Sequence, residues 1–274
     1  MTTVGIATGA GRGMGLECAK RLTGLVDVLL LVDRDAGAVN TVAEDLTEWS
    51  GAVVEPFVLD VTDDEGLARL AARTAELGTL RAVAHAAGIS PTMADWRRII
   101  TVDLVATARL AETLRPLSTA GTATVCFASM APLIAGLADP AVDEILDDPL
   151  ADGFLDALHR VLGPSLEQPG LAYAWAKRGV HRFVRRESVR LGPLGARICS
   201  ISPGIIDTPQ GRQEAAGNPR MREMVRMTPL GRQGTAEEVA AVAGFALSDE
   251  AGFLNGIDLL VDGGLCAAAA QRPG

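Results

Sequence analysis

Short apolar runs alternate with helical patterns from one end of the chain to the other. The run Val28–Val32 is continuously apolar, which is typical of a strand covered on both faces. The predicted strands are Val4–Ala7, Val28–Val32, Val53–Leu59, Ala82–Ala86, Thr124–Ala128, Arg197–Ile201 and Ile257–Val261. The predicted helices between them include Met14–Thr23, Ala36–Trp49, Glu65–Leu77, Ile100–Leu114 and Ala172–Leu191. This alternation predicts an α/β fold, a single domain over residues 1–274 with a doubly wound parallel sheet whose ligands bind at the carboxyl ends of the strands.

One segment interrupts the alternation. Residues 139–168 predict a helical insertion of two helices before the helix of Tyr173, with Asp152 as the cap of the second. The apolar positions of the pair are Val142, Ile145 and Leu146, followed by Phe154, Leu155, Leu158, Val161 and Leu162. The segment holds eight acidic residues and one arginine, a local charge of −7 in a chain of net charge −9.

The composition argues against several classes of partner and location. The acidic balance disfavours nucleic acids and anionic membranes as partners, because both bind basic surfaces. The uncharged stretch Leu117–Ala138 is too polar and too interrupted for a spanning helix, and a strand at Val4 leaves no room for a signal peptide. Four cysteines stand far apart without metal-ligand spacing: Cys18, Cys126, Cys199 and Cys266. We expect a cytoplasmic protein without a metal site.

The first predicted strand runs into a glycine-rich turn, TGAGRGMG over Thr8–Gly15, where a helix begins. A diphosphate needs close backbone approach, which glycine permits, and free N–H groups at a helix N-terminus, which attract anions. The spacing is G-x-x-x-G-x-G rather than the more common G-x-G-x-x-G. Because the turn lies between a strand and a helix, we favour nucleotide binding over a simple turn.

Asp33 ends the second strand. A carboxylate there can accept hydrogen bonds from both adenosine ribose hydroxyls and repels a 2′-phosphate, which predicts NAD rather than NADP. Arg12 and Arg34 are evidence against this choice, because a guanidinium can pair with that phosphate. Asp60 and Val61 after the third strand are candidate contacts for the adenine amino group, although Asp60 could equally cap the next helix.

The chain contains a single tyrosine, Tyr173, and two lysines, Lys20 and Lys177. Tyr173 and Lys177 are four residues apart on a predicted helix and therefore share a face. An ammonium beside a phenol stabilises the phenolate and lowers its pKa, so the pair can exchange a proton with a carbonyl oxygen near neutral pH.

These motifs follow one another in a known order. The set is TGAGRGMG, Asp33, Asp60-Val61, His85-Ala86-Ala87-Gly88, Ser129, Tyr173-x-x-x-Lys177, Pro203-Gly204 and Val261-Asp262-Gly263-Gly264. It resembles the classical short-chain dehydrogenase/reductase family over nearly the whole chain. The insertion and the text LAYAWAK are most similar to bacterial 3α-hydroxysteroid dehydrogenase/carbonyl reductases within that family. The resemblance implies a Rossmann-like fold and hydride transfer with a nicotinamide cofactor.

The resemblance also implies roles for individual residues. Ser129 would hold the substrate oxygen against Tyr173, the general acid or base, while Lys177 would lower the pKa of Tyr173 and bind the nicotinamide ribose. The cofactor-binding residues predicted from the motifs and the resemblance are Gly9, Arg12, Gly13, Met14, Gly15, Asp33, Asp60, Val61, Ala87, Gly88, Tyr173, Lys177, Gly204, Ile206 and Thr208.

Two positions depart from the family pattern. Asp103 stands where the family usually has an asparagine that holds a water in a relay to the lysine. An ionised carboxylate can accept from that water but cannot donate, so we predict retained catalysis with an altered pH profile. His85 stands where the family often has asparagine, and we interpret it as a hydrogen-bonded structural histidine rather than a catalytic one.

Two further segments carry expectations. Arginines recur every four residues on the helix of Tyr173, at Arg178, Arg182, Arg186 and Arg190, and the acidic insertion is their predicted partner, within or between subunits. Residues 203–230 are rich in methionine and other apolar residues, and the resemblance makes this segment the substrate lid. Adaptable methionines favour a bulky, hydrophobic alcohol or ketone.

The sequence therefore predicts an NAD(H)-dependent oxidoreductase that interconverts a secondary alcohol and a ketone, such as a 3-hydroxy/3-oxo steroid. We expect a homo-oligomer, either a dimer or a tetramer. One alternative is another small carbonyl compound or biosynthetic intermediate as substrate. An alternative of a different class is a catalytically silent NAD-binding regulatory protein.

Overall fold

The computed structural model of the protein describes residues 1–217 and 219–271. Residues 218 and 272–274, which fall within the predicted domain, lie outside the described residues. The strands are β1 (Thr3–Thr8), β2 (Val28–Asp33), β3 (Val53–Val58), β4 (Thr79–His85), β5 (Ala123–Phe127), β6 (Arg197–Pro203), β7 (Ile206–Asp207), β8 (Gly234–Thr235) and β9 (Asp258–Val261). The first helices are α1 (Gly13–Leu22), α2 (Ala36–Trp49), α3 (Asp64–Leu77), α4 (Trp96–Ile100), α5 (Ala106–Leu114) and α6 (Ala131–Ile134). They are followed by α7 (Pro140–Leu146), α8 (Phe154–Leu162), α9 (Pro169–Leu191), α10 (Pro209–Gly217), α11 (Pro219–Met227), α12 (Ala236–Leu247) and α13 (Leu265–Ala270).

Seven strands of the described residues form one parallel sheet in the order β3-β2-β1-β4-β5-β6-β9. This is the doubly wound, Rossmann-like arrangement that the sequence predicts. The chain adds β2 and β3 on one side of β1 and then crosses to the other side with β4. This reversal of strand order between β1 and β4 opens a crevice at the carboxyl ends of the strands.

Helices cover both faces of the sheet, and strand β2 shows why its sequence is continuously apolar. Leu29 and Leu31 pack with α1, α2 and α12, whereas Leu30 and Val32 pack on the opposite face with α3 and α5. Helix α9 covers β5 and β6 on that second face. Each predicted strand is present, with ends that differ by up to three residues from the prediction.

The acidic segment 139–168 folds into the helical pair α7 and α8, which packs on α9. Asp139 caps α7 by accepting hydrogen bonds from the N–H groups of Ala141 (2.9 Å) and Val142 (3.3 Å). The prediction that Asp152 caps α8 is wrong. That helix starts after Gly153, which has a φ of +71° and makes no side-chain cap, because the left-handed turn before Phe154 requires glycine.

Arginines of α9 form ion pairs with acidic residues of segment 139–168. The predicted partner of the arginine stripe therefore lies within the same chain. Arg178 forms two hydrogen bonds of 2.6 Å with Asp143. Arg182 forms hydrogen bonds of 2.6 and 2.8 Å with Asp147, and Arg186 reaches the same carboxylate. Arg190, the last arginine of the stripe, pairs instead with the buried Glu187 of α9 itself.

Candidate active site

A cavity of about 990 Å³ opens at the carboxyl ends of the central strands. The predicted cofactor-binding residues all line it: Gly9, Arg12, Gly13, Met14, Gly15, Asp33, Asp60, Val61, Ala87, Gly88, Tyr173, Lys177, Gly204, Ile206 and Thr208. Ser129 lines it as well, whereas Asp103 is completely buried behind its wall. Residues that are far apart in sequence therefore meet in one crevice.

The glycine-rich turn after β1 lines the cavity, and its backbone is accessible there because the glycines have no side chains. Gly9 has a φ of +66°, a left-handed conformation that favours glycine. A Cβ on Gly15 would lie 2.1 Å from the carbonyl oxygen of Gly9, so α1 packs against the turn because glycine occupies that position. Among the described residues, no side chain caps the N-terminus of α1, which leaves its first N–H groups available to an anion. The turn fits the diphosphate of a dinucleotide.

The carboxylate of Asp33 lies beside this turn at the end of β2. It accepts hydrogen bonds from the N–H groups of Gly11 (2.9 Å) and Asp35 (3.0 Å), which fix its position. Asp35 also pairs with the guanidinium of Arg12. That arginine, a candidate for binding a 2′-phosphate, is therefore already matched by a carboxylate of its own chain.

Asp60 makes contacts that the sequence did not suggest. It accepts hydrogen bonds from the N–H and hydroxyl groups of Thr62, and Arg98 of α4 donates to its other oxygen at 2.8 Å. Burial acts to raise the pKa of Asp60, but these hydrogen bonds outweigh it and lower the pKa. The alternative that Asp60 caps α3 is wrong, since the N-cap residue is Asp63. Arg98 was missed because no motif marks it; its place on the cavity wall depends on how α4 packs.

The predicted catalytic side chains come from two elements. Ser129 follows β5, and its Oγ accepts a hydrogen bond from the N–H group of Ala131 at 3.1 Å. Tyr173 and Lys177 lie one turn apart on α9, with the lysine Nζ 5.6 Å from the centre of the tyrosine ring. The Lys177 ammonium donates to the carbonyl oxygen of Phe127 at 3.0 Å, which ties α9 to the end of β5.

The pKa of Tyr173 is higher than expected from its neighbour Lys177. Burial raises it well above its ordinary value, the charge of Asp103 adds to that rise, and the interaction with the Ser129 hydroxyl lowers it in part. The prediction that the neighbouring lysine lowers the pKa of Tyr173 is therefore wrong. The physical reason is that the phenol is desolvated in the crevice, while Lys177 directs its hydrogen bond to a backbone carbonyl.

Asp103 lies in a π-helical turn, Thr101–Val105, between α4 and α5. Its Oδ1 accepts a hydrogen bond from the N–H group of Ile89 at 2.9 Å and lies 3.8 Å from the Nζ of Lys177. Its Oδ2 is buried and has no hydrogen-bond partner among the described residues. Burial raises the pKa of Asp103, although the positive charge of Lys177 opposes the rise. A buried acid that retains its proton can donate as well as accept, as an asparagine does.

His85 is a structural histidine, as predicted. Its Nε2 lies 2.9 Å from the hydroxyl of Thr107, which donates to the carbonyl oxygen of Asp103, so Nε2 must carry the proton. Its Nδ1 then accepts from the hydroxyl of Thr8 at 2.7 Å, and that hydroxyl accepts from the N–H group of Ala87. Burial lowers the pKa of His85 to about 3, and the charge of Lys177 adds to the effect. Through the hydroxyl groups of Thr8 and Thr107, the neutral ring links the loop after β4 with the π-helical turn that holds Asp103.

The segment after β6 forms part of the cavity wall. Met221 and Met224 of α11 line the cavity together with Met130. Leu230, by contrast, is exposed. Glu214 of α10 also lines the cavity, and sequence reasoning missed it because no motif distinguishes it from the other acidic residues.

Residues 1–217 and 219–271 contain neither a cluster of metal ligands nor a helix suited to a membrane. No group of three or more histidine, cysteine, aspartate or glutamate residues there could hold a metal ion. No helix of that part of the chain combines the length and the apolar character that crossing a membrane requires.

Comparisons with known proteins agree with this geometry. A family model described as enoyl-(acyl carrier protein) reductase matches residues 9–140 and 162–266, which leaves out most of α7 and of α8. The chain is 30% identical over 276 residues to cis-4-hydroxycyclohexanecarboxylate dehydrogenase from Sinomonas cyclohexanicum, and the match covers 96% of each protein.

Solved structures share the fold. A short-chain type dehydrogenase/reductase from Mycobacterium ulcerans superposes with a TM-score of 0.77 at 24% identity, covering 97% of this chain and 90% of the other. A 7α-hydroxysteroid dehydrogenase complexed with NADH and 7-oxo glycochenodeoxycholic acid superposes with a TM-score of 0.76 at 23% identity, covering 96% and 93%. With the family model, the relative and the site in agreement, the chain belongs to the short-chain dehydrogenase/reductase family, whose members are oxidoreductases of secondary alcohols and ketones that use a nicotinamide cofactor.

Proposed function

We propose that the protein is an NAD(H)-dependent dehydrogenase/reductase that interconverts a hydrophobic secondary alcohol and its ketone, with a 3-hydroxy/3-oxo steroid as the first candidate. The observation that carries the proposal is the placement of Ser129, Tyr173 and Lys177 on the wall of the same cavity as the glycine turn and Asp33. One crevice thus offers a dinucleotide site and a proton-transfer group together.

Tyr173 is the proposed general acid in reduction and the general base in oxidation. The Ser129 hydroxyl holds the substrate oxygen against the phenol. The bound nicotinamide supplies or accepts the hydride. Lys177, anchored on the carbonyl oxygen of Phe127 with its Nζ 5.6 Å from the centre of the Tyr173 ring, is the proposed partner of the nicotinamide ribose.

Asp103 is the proposed partner of Lys177 in proton relay. Its Oδ2 has no hydrogen-bond partner among the described residues, and its Oδ1 lies 3.8 Å from the lysine Nζ, so a buried water would bridge the carboxyl group and the ammonium. A protonated carboxyl would serve that water as the amide of an asparagine does, by both donating and accepting.

NAD rather than NADP is the proposed cofactor because the Asp33 carboxylate, fixed beside the glycine turn, would accept hydrogen bonds from the adenosine ribose. A 2′-phosphate there would meet a negative charge, and Arg12 is held by Asp35. Among the cavity-lining arginines that the structure describes, Arg34 is the one that forms no ion pair.

A hydrophobic substrate is proposed from the side chains on the other side of the cavity. Met93, Met130, Met221 and Met224 line it together with Ile134. Flexible thioether side chains adapt to a bulky apolar ligand. Residues 203–230 are the proposed lid over this substrate.

The test follows NADH and NADPH absorbance with a panel of 3-oxo steroids, cyclic ketones and the matching alcohols. We expect turnover with NADH, and a loss of about 10²–10⁴-fold in kcat for Tyr173→Phe, because general acid–base catalysis contributes that much. Binding of NADH to the variant, measured by fluorescence, should change less than threefold. NADH binding without turnover across the panel would support the regulatory protein instead.

A further inference from the structure

The substrate side of the cavity holds one charged group that the proposed reaction does not use. Glu214 lies on α10 and faces the cavity with Gln210, Gly211 and Gln213 of the same helix. The methionines named above line the same cavity.

Glu214 has no partner for its charge. Among the described residues it accepts no hydrogen bond and forms no ion pair, and it is partly buried. The cavity-lining arginines of the described chain are Arg12, Arg34 and Arg98, all on the side of Asp33 and Asp60. Burial accordingly raises the pKa of Glu214 above its ordinary value.

The carboxyl group lies within electrostatic reach of the proposed proton donor. Its negative charge contributes to the raised pKa of Tyr173, after burial and Asp103. Glu214 and Tyr173 line the same cavity, together with the methionines of the proposed substrate side.

We infer that Glu214 determines substrate specificity: it favours ketones and alcohols that carry a second hydrogen-bond donor, such as a distant hydroxyl group, and rejects those that carry a carboxylate. This inference rests on the proposed function. A bound hydrophobic substrate displaces water from Glu214, so the substrate itself must supply the donor that the carboxyl group loses. An anionic substrate instead adds a second negative charge at low dielectric.

The experiment compares two matched pairs of ketones with the full-length protein and its preferred cofactor. One pair is 4-hydroxycyclohexanone and 4-oxocyclohexanecarboxylate; the other is a 3-oxo steroid with a 17-hydroxyl group and one with a 17-carboxylate. We expect the wild type to prefer the hydroxyl member of at least one pair in kcat/KM. Glu214→Gln should reduce that preference at least tenfold, because the amide keeps the size and loses the charge. Glu223→Gln, an equal charge change at an exposed position of α11, should leave the ratio unchanged.

Three results would overturn the inference: no hydroxyl preference in either pair, an unchanged ratio in Glu214→Gln, or an equal change in Glu223→Gln. If no ketone is turned over, the proposed function fails, and binding then decides the role of Glu214. In that case isothermal titration should show trans-1,4-cyclohexanediol binding at least tenfold tighter than cyclohexanecarboxylate, with the difference lost in Glu214→Gln. Equal binding of the two compounds to the wild type would contradict the inference independently of turnover.

Discussion

At the scale of single residues, the site depends on how burial changes the chemistry of common side chains. Tyr173, Asp103 and His85 are all desolvated behind or on the wall of the crevice, and each pKa moves in the direction that favours the neutral form. Lys177 is the charged group among them, and its ammonium is held by the carbonyl oxygen of Phe127.

Asp103→Asn tests whether that carboxyl group keeps its proton. A raised pKa in the folded protein means that wild-type stability falls as pH rises from the unfolded value of about 4 to the folded value. The asparagine variant lacks this loss, so its free energy of unfolding relative to wild type should increase from pH 4.5 to 8 in urea titrations. The pH–rate curve should also shift, and an unmoved curve would show that the relay role is wrong.

His85→Asn tests the opposite dependence of stability on pH, a loss of stability as the pH falls. With a folded pKa of about 3 and an unfolded value of 6.5, the wild type loses stability as pH falls through this range, by up to about 1.4 kcal/mol per pH unit. Asparagine does not titrate, so the variant should be less stable at pH 7 through its lost hydrogen bonds but show a shallower decline toward pH 4. Parallel stability curves for the two proteins would contradict a neutral, buried His85.

At the scale of elements, helix α9 has two functions on two faces. One face carries Tyr173 and Lys177 toward the cavity, and the other holds α7 through arginine–aspartate contacts. The pairs are partly buried and bidentate, a geometry that makes them stronger than exposed ion pairs.

A double-mutant cycle on Arg182→Ala and Asp147→Ala should give a coupling free energy of about 1–2 kcal/mol in chemical unfolding. The matched control is Arg69→Ala with Asp63→Ala, a 3.3 Å pair whose side chains are 61% and 46% exposed. There the coupling should stay below about 0.5 kcal/mol, because solvent screens it. Equal coupling in the two cycles would mean that the contacts of α7 contribute no more than surface pairs.

At the scale of the whole molecule, cofactor binding and stability are linked because the crevice is built from the ends of several strands. NADH at 100 times its dissociation constant should stabilise the protein by about 2.7 kcal/mol. For a chain of this size, we expect a rise in the melting temperature of about 5–10 °C in calorimetry. NADPH at the same concentration should give less than half of that rise in the wild type, and Asp33→Ala should reduce the difference between the two cofactors. A larger rise with NADPH would contradict the proposed NAD preference.

The sequence by itself determined the parallel sheet, the glycine turn, the Tyr173–Lys177 pair and the helical insertion, because each depends on local spacing or periodicity. It also predicted the arginine–acid contact, since a charge stripe and an acidic segment next to it in sequence have few other partners. Only the tertiary structure decided what depends on burial and distant contacts: the raised pKa of Tyr173, the unpartnered oxygen of Asp103, the contact of Arg98 with Asp60 and the position of Glu214. A side chain is desolvated when elements that are far apart in sequence pack over it. A local sequence pattern does not predict which elements these are.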